Sequence, residues 1–112
     1  KGGDEAVIWL IPPLEESLKT GIALLLWAAV PPAHGVFGLL EAVHDYWASP
    51  RWGLWAGLSS IISHFFLGWG TVFCYSIIPS WIMAVGAIAI IHAFWNFLII
   101  KFTILWHNRG KN

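Results

Sequence analysis

The run "WIMAVGAIAIIHAFWNFLIIKFTILW", from Trp81 to Trp106, is far longer than a strand and oily enough for a bilayer. It is one of four such runs. The others extend from about Ala6 to Val30, from about Ala33 to Ala48 and from about Trp52 to Ile78. Four apolar strands cannot close a barrel in lipid, so each run has to satisfy its own backbone as a helix. A hydrocarbon core of about 30 Å takes about 20 helical residues, and three of the runs supply that comfortably. The second is marginal and fits as a short or tilted helix between the others. The expected fold is all-α: one domain, a polytopic transmembrane bundle of about four helices.

Composition carries the same message. Hydrophobic residues make up 58% of the 112-residue chain and charged residues only 11%, against about 25% charged in an ordinary soluble domain. A soluble domain of this size buries too little of its surface to hide that much apolar area. Nine tryptophans suit the lipid–water boundary. A formal net charge of zero offers no basic face to nucleic acid. The single Cys74 implies no disulfide, and the opening "KGGDEAV" lacks a signal-peptide layout.

Prolines 31, 32, 50 and 79 mark helix ends, whereas Pro12 and Pro13 lie inside the first run and predict a kink or a helix that begins at Pro12. If the runs alternate, Lys1, Arg51, Arg109 and Lys111 share one side, and the turns "VPPAH" and "IIPSW" carry no Lys or Arg. The positive-inside rule then puts both termini in the cytoplasm.

Each run also carries polar groups at depth: Glu15, Glu16 and Lys19, then Glu41, then His64, then His92 with Asn96. At 1.5 Å per residue, Glu15 lies roughly 14 Å from the cytoplasmic side, Glu41 and His64 about 18 Å and His92 about 12 Å. They share a level near mid-membrane, where an unpaired charge is expensive and usually marks a site. Lys19 is i+4 from Glu15 and i+3 from Glu16, so it can neutralise either. The two Glu project about 100° apart and so serve different purposes. His92 and Asn96 share a helix face and can both donate to a developing oxyanion. Phe37 stands one turn from Glu41. A base, a charge partner and an oxyanion pair in a water-poor cavity suit amide hydrolysis by an activated water. The plainer alternatives are a structural ion pair and histidines that only join helices. His44 and Asp45 read as interfacial, and His34 and His107, at boundaries, carry no role. Gly53, Gly57, Gly68 and Gly70 permit close helix approach.

The segments "PLEESLK", "FGLLE", "SHFFLGWG" and "HAFWN" stand in the order of PrsW-type membrane proteases, and over roughly residues 12 to 97 the chain resembles that family. Within the wider CAAX-prenyl-protease and bacteriocin-processing superfamily, the resemblance implies a glutamate-activated water with a His/Asn oxyanion hole. Carried onto this chain, it makes Glu15 the base with Glu16 as close alternative. His92 and Asn96 hold the oxyanion, His64 orients water or substrate, Glu41 assists His64 and Lys19 tunes the Glu pair. It further implies a membrane-associated protein substrate and, for the location, the cytoplasmic membrane of a prokaryote. The superfamily usually has Arg and His where this chain has Lys19 and Glu41, and usually more helices, so a fragment or reduced form of a larger membrane protease is expected.

Three rival functions use the same residues. Glu15, Glu41, His64 and His92 could ligate zinc or iron, with "EAVH" supplying a Glu-x-x-His of the di-iron kind. His64 and His92 could be axial ligands of haem or a chlorin pigment. The chain could also be a catalytically silent accessory subunit, partnered by the bilayer and by other membrane subunits.

Overall fold

The first apolar run stays helical through its prolines, but a new α-helical segment starts one residue before Pro12, close to the start expected there. In a computed structural model, which describes residues 2–26, 28–49 and 51–110, it comprises α1 (Gly2–Glu5), a π-helical stretch (Ala6–Leu10) and α2 (Ile11–Leu25). Backbone angles stay helical through both junctions, at Glu5, Leu10 and Ile11. Pro12 and Pro13 bring no N–H, and in a regular α-helix their rings would crowd the carbonyls four residues earlier. A wider turn just before them relieves that conflict.

The boundary to the next helix differs from the expectation. The first helix ends at Leu25, and α3 (Val30–Ala48) begins before the Pro31–Pro32 pair, which occupies its first turn. There an amide N–H would have no helical partner anyway, so proline is tolerated. This lengthens the second run to 19 residues, about 28 Å of helix. It nonetheless remains marginal as a span, because among the described residues only two later helices are both long and apolar enough to cross a membrane. Next come α4 (Gly53–Ile77) and α5 (Trp81–Arg109). Ser80 caps α5, its hydroxyl oxygen accepting from the Met83 N–H at 3.4 Å. Tyr75 and Trp81 stack at 3.9 Å across the same turn. Among the residues used for the orientation and boundary arguments, Lys1, Lys111 and Pro50 lie outside those described.

The protein is thus an all-α bundle of four helices, with no strand among the described residues. Two of them, α4 and α5, are long and apolar enough to cross a membrane. The packing is inverted relative to a water-soluble domain. The largest fully buried side chains include Lys19, His34, His64 and Glu16, while Ile82, Leu25 and Trp47 stand 87%, 79% and 78% exposed. A polar interior inside an apolar coat suits hydrocarbon surroundings.

Close packing of α3 on α4 rests on missing side chains. A Cβ on Gly68 would sit 2.8 Å from His34 Cβ and 3.0 Å from Pro31 Cα. A Cβ on Gly38 would meet His64 Cβ at 2.8 Å. Gly53 and Gly57 lie against the α3 backbone in the same seam, and Gly70 against Ile88 of α5. Gly68→Ala is expected to destabilise the fold by about 1–3 kcal/mol through overpacking. Gly35→Ala, where nothing lies within 4 Å, is expected to leave it unchanged or slightly more stable. Unfolding of the two variants in detergent compares them directly.

Candidate functional site

The helix that begins the chain delivers three charges to one place. Glu15, Glu16 and Lys19 lie within two turns of α2, and Lys19 Nζ reaches Glu15 Oε2 at 3.1 Å and Glu16 Oε1 at 3.3 Å. Its third contact is His64 Nδ1 of α4, at 3.1 Å. An ammonium has three N–H donors, and here each has an acceptor. Lys19 is only 1% exposed, so this complete pairing is what makes its burial affordable. The Phe37 ring of α3 adds a cation–π face, its centroid 5.7 Å from Nζ.

The ammonium also fixes the tautomer next to it. His64 Nδ1 accepts from Lys19, so the ring proton sits on Nε2 and is donated to Glu41 Oε2 of α3. On the other side, His92 of α5 donates Nδ1–H to Glu16 Oε1 at 2.8 Å. The two imidazoles touch edge to face, with ring centroids 5.7 Å apart. Four helices therefore meet through one hydrogen-bonded cluster.

Beside it lies a cavity of about 160 Å³, whose lining includes Glu41, Ser60, His64, His92 and Asn96. Glu15 is not part of that lining. Its carboxylate lies alongside, within 4.8 Å of donor atoms of Glu41 and His64. Glu16 is wholly enclosed and cannot touch anything in the cavity. Of the carboxylates in the cluster, Glu41 is the one that lines the cavity, and Asp45 lies on the same wall.

Asn96 is placed by an unusual backbone feature. In the π-helical stretch the Ile11 N–H bonds to Ala6 O, and Pro12, next in line, has no N–H. The Val7 carbonyl is left without a helical donor, and Asn96 Nδ2 supplies one at 3.1 Å. Asn96 keeps a second N–H. A neutral His92, whose proton is on Nδ1, presents an acceptor to the cavity rather than a donor. Only its protonated form offers the donor that the expected oxyanion pair requires.

His34 was given no role from sequence, yet it is fully buried, with Nδ1 3.5 Å from Glu16 Oε2. The signal lay in its position seven residues before Glu41, on the same face of α3, and was hidden by reading Pro31–Pro32 as a break. Glu16 Oε2, Thr20 Oγ1 and both His34 nitrogens have no hydrogen-bond partner among the described residues.

Several sets of these residues have spacing compatible with a metal ion: Glu15, Glu41 and His64; Glu15, Glu16 and His92; and Glu16, His34 and His64. The four-ligand set Glu15, Glu41, His64 and His92 is not brought together as one group. A cation at any of the three would compete with Lys19, whose ammonium already holds Glu15, Glu16 and His64. His44 of "EAVH" points away, exposed and paired with Asp45 at 3.3 Å, so the di-iron arrangement does not form. Axial ligation of a haem or chlorin by His64 and His92 does not fit either. Both His64 nitrogens are engaged and the rings touch, leaving no room for a metal and macrocycle between them.

No protein-family model matches the chain, and neither a curated protein nor a solved structure matches it.

Lys19→Met would strand Glu15, Glu16 and His64 without their shared donor. The expected loss is about 3–5 kcal/mol, the range for breaking a buried ion pair. It is measured by unfolding in detergent micelles against a Phe37→Leu variant, which keeps the ion pairs and is expected to lose far less.

Proposed function

We propose that this protein is the core of an intramembrane protease similar to PrsW-type enzymes, cleaving a membrane-associated protein with a glutamate-activated water. The observation that carries this reading is the convergence of Glu41, His64, His92 and Asn96, from three helices, on one small, partly open cavity of the bundle. In this reading all four helices lie in the membrane with both termini on the cytoplasmic side.

The division of labour follows the hydrogen bonds. Glu41 faces the cavity and takes the proton of the attacking water, with Glu15 alongside it. His64, held between Lys19 and Glu41, orients that carboxylate. Asn96 lends its second N–H to the tetrahedral oxyanion. Lys19 holds Glu15 and Glu16 in place through its ammonium hydrogen bonds. The proposal thus moves the principal base from Glu15 to Glu41, because Glu41 lines the cavity and Glu15 does not.

The test is cleavage of single-span membrane proteins by the purified chain in nanodiscs, followed by mass spectrometry of the products. Glu41→Gln and Glu15→Gln are expected to keep the fold and abolish cleavage. Asn96→Ala is expected to lower turnover by about 10²–10³, the usual loss for one oxyanion donor. Chelation by EDTA and 1,10-phenanthroline is expected to leave cleavage intact, since Lys19 supplies the positive charge. Turnover surviving in both Glu variants would count against the assignment.

One observation favours a second reading, an accessory membrane subunit without catalysis. The three donors of Lys19 are all consumed inside the cluster, as in an ion knot that only sets helix register. Copurification with stoichiometric membrane partners, together with normal function of Glu41→Gln, would select it.

A further inference from the structure

We propose that His92, held by Glu16, is the general acid that protonates the leaving nitrogen; the inference rests on the hydrolase reading above. It departs from the oxyanion role that the family resemblance implies for this position.

Glu16 is wholly enclosed and cannot reach a substrate. Its Oε1 nevertheless accepts the Nδ1–H of His92 at 2.8 Å, with Lys19 steadying the same oxygen at 3.3 Å. A buried carboxylate on one imidazole nitrogen fixes the ring's orientation and stabilises the imidazolium. His92 itself lines the cavity. Its Nε2 has no partner among the described residues and is not among the walled-off polar atoms. That leaves Nε2 as the atom that can exchange a proton with the cavity.

The other titratable groups lining the cavity are already committed. His64 has both nitrogens bonded, to Lys19 and Glu41. Glu41 is the proton acceptor for water. Asp45, on the same wall, pairs with His44. An amide nitrogen cannot leave as an anion at useful rates, so a proton donor is required, and His92 is the group placed to serve.

The proton balance closes within these two residues. Water oxygen bonds to the carbonyl carbon while one of its protons passes to the Glu41 carboxylate. The C–N bond then breaks, its electron pair stays on nitrogen, and His92, entering the step as the imidazolium, delivers its Nε2 proton there and becomes the neutral Nδ1–H tautomer. The products are a carboxylic acid and an amine. Glu41 returns its proton to Nε2 through a water, restoring both groups. Glu16 acts throughout as a positioning residue.

The experiment compares leaving groups. The purified full chain in dodecylmaltoside micelles is given N-lauroyl dipeptide p-nitroanilides and the matching p-nitrophenyl esters. A nitrophenolate leaves without a proton; an anilide does not. Wild type is expected to cleave both. His92→Gln and Glu16→Gln are expected to lose about 10²–10⁴-fold more anilide than ester turnover, the range for general acid–base catalysis, so that the anilide-to-ester ratio falls. Should His92→Gln fail to fold, Glu16→Asp lengthens the same hydrogen bond and is expected to lower the anilide-to-ester ratio. Equal loss on both substrates in a folded variant, or unchanged anilide turnover, overturns the acid role while leaving the hydrolase reading standing. Wild type cleaving neither probe removes the hydrolase reading and the inference with it.

Discussion

One ammonium organises this protein. Lys19 Nζ is the point at which α2 and α4 are joined by hydrogen bonds, and the groups it holds reach onward, Glu16 to α5 and His64 to α3. In a low-dielectric interior the attraction between such charges is large, and so is the penalty for leaving any of them alone. Each partner in the cluster is consequently held at bonding distance by the others. Four helices thereby acquire a specific common centre.

The rest of the bundle is shaped to let that centre form. His34 and His64 are bulky, and both stand on the α3–α4 contact face. Gly68 makes space beneath the first and Gly38 beneath the second, so the seam interlocks a large polar ring on each helix with a missing side chain on the other. This brings the α3 carboxylate Glu41 within reach of the α4 imidazole. Burial of polar groups and close approach of helices are here two aspects of one sequence pattern.

Much of this was legible in the residues alone. The length of the apolar runs specified four helices, and the i, i+3 and i, i+4 spacing of Glu15, Glu16 and Lys19 specified their ion pairs. The common depth of Glu41, His64 and His92 anticipated their meeting. What escaped was governed by rotation and by backbone. Spacing could not tell that Glu16 points fully inward while Glu15 stays at the margin, because that depends on which face of α2 the neighbours cover. His34 was lost when a proline pair was read as punctuation, although proline is at home in a first turn. The partner of Asn96 was invisible because it is a carbonyl, and every residue has one.

That carbonyl ties helix assembly to an atom that proline lacks. Val7 O becomes available to Asn96 only after the chain around Pro12 has wound into its wide turn, so the docking register of α5 is written into the first helix, some ninety residues upstream (|i−j| = 89). Docked at that carbonyl, α5 carries His92 and Asn96 to their stations as a single helix.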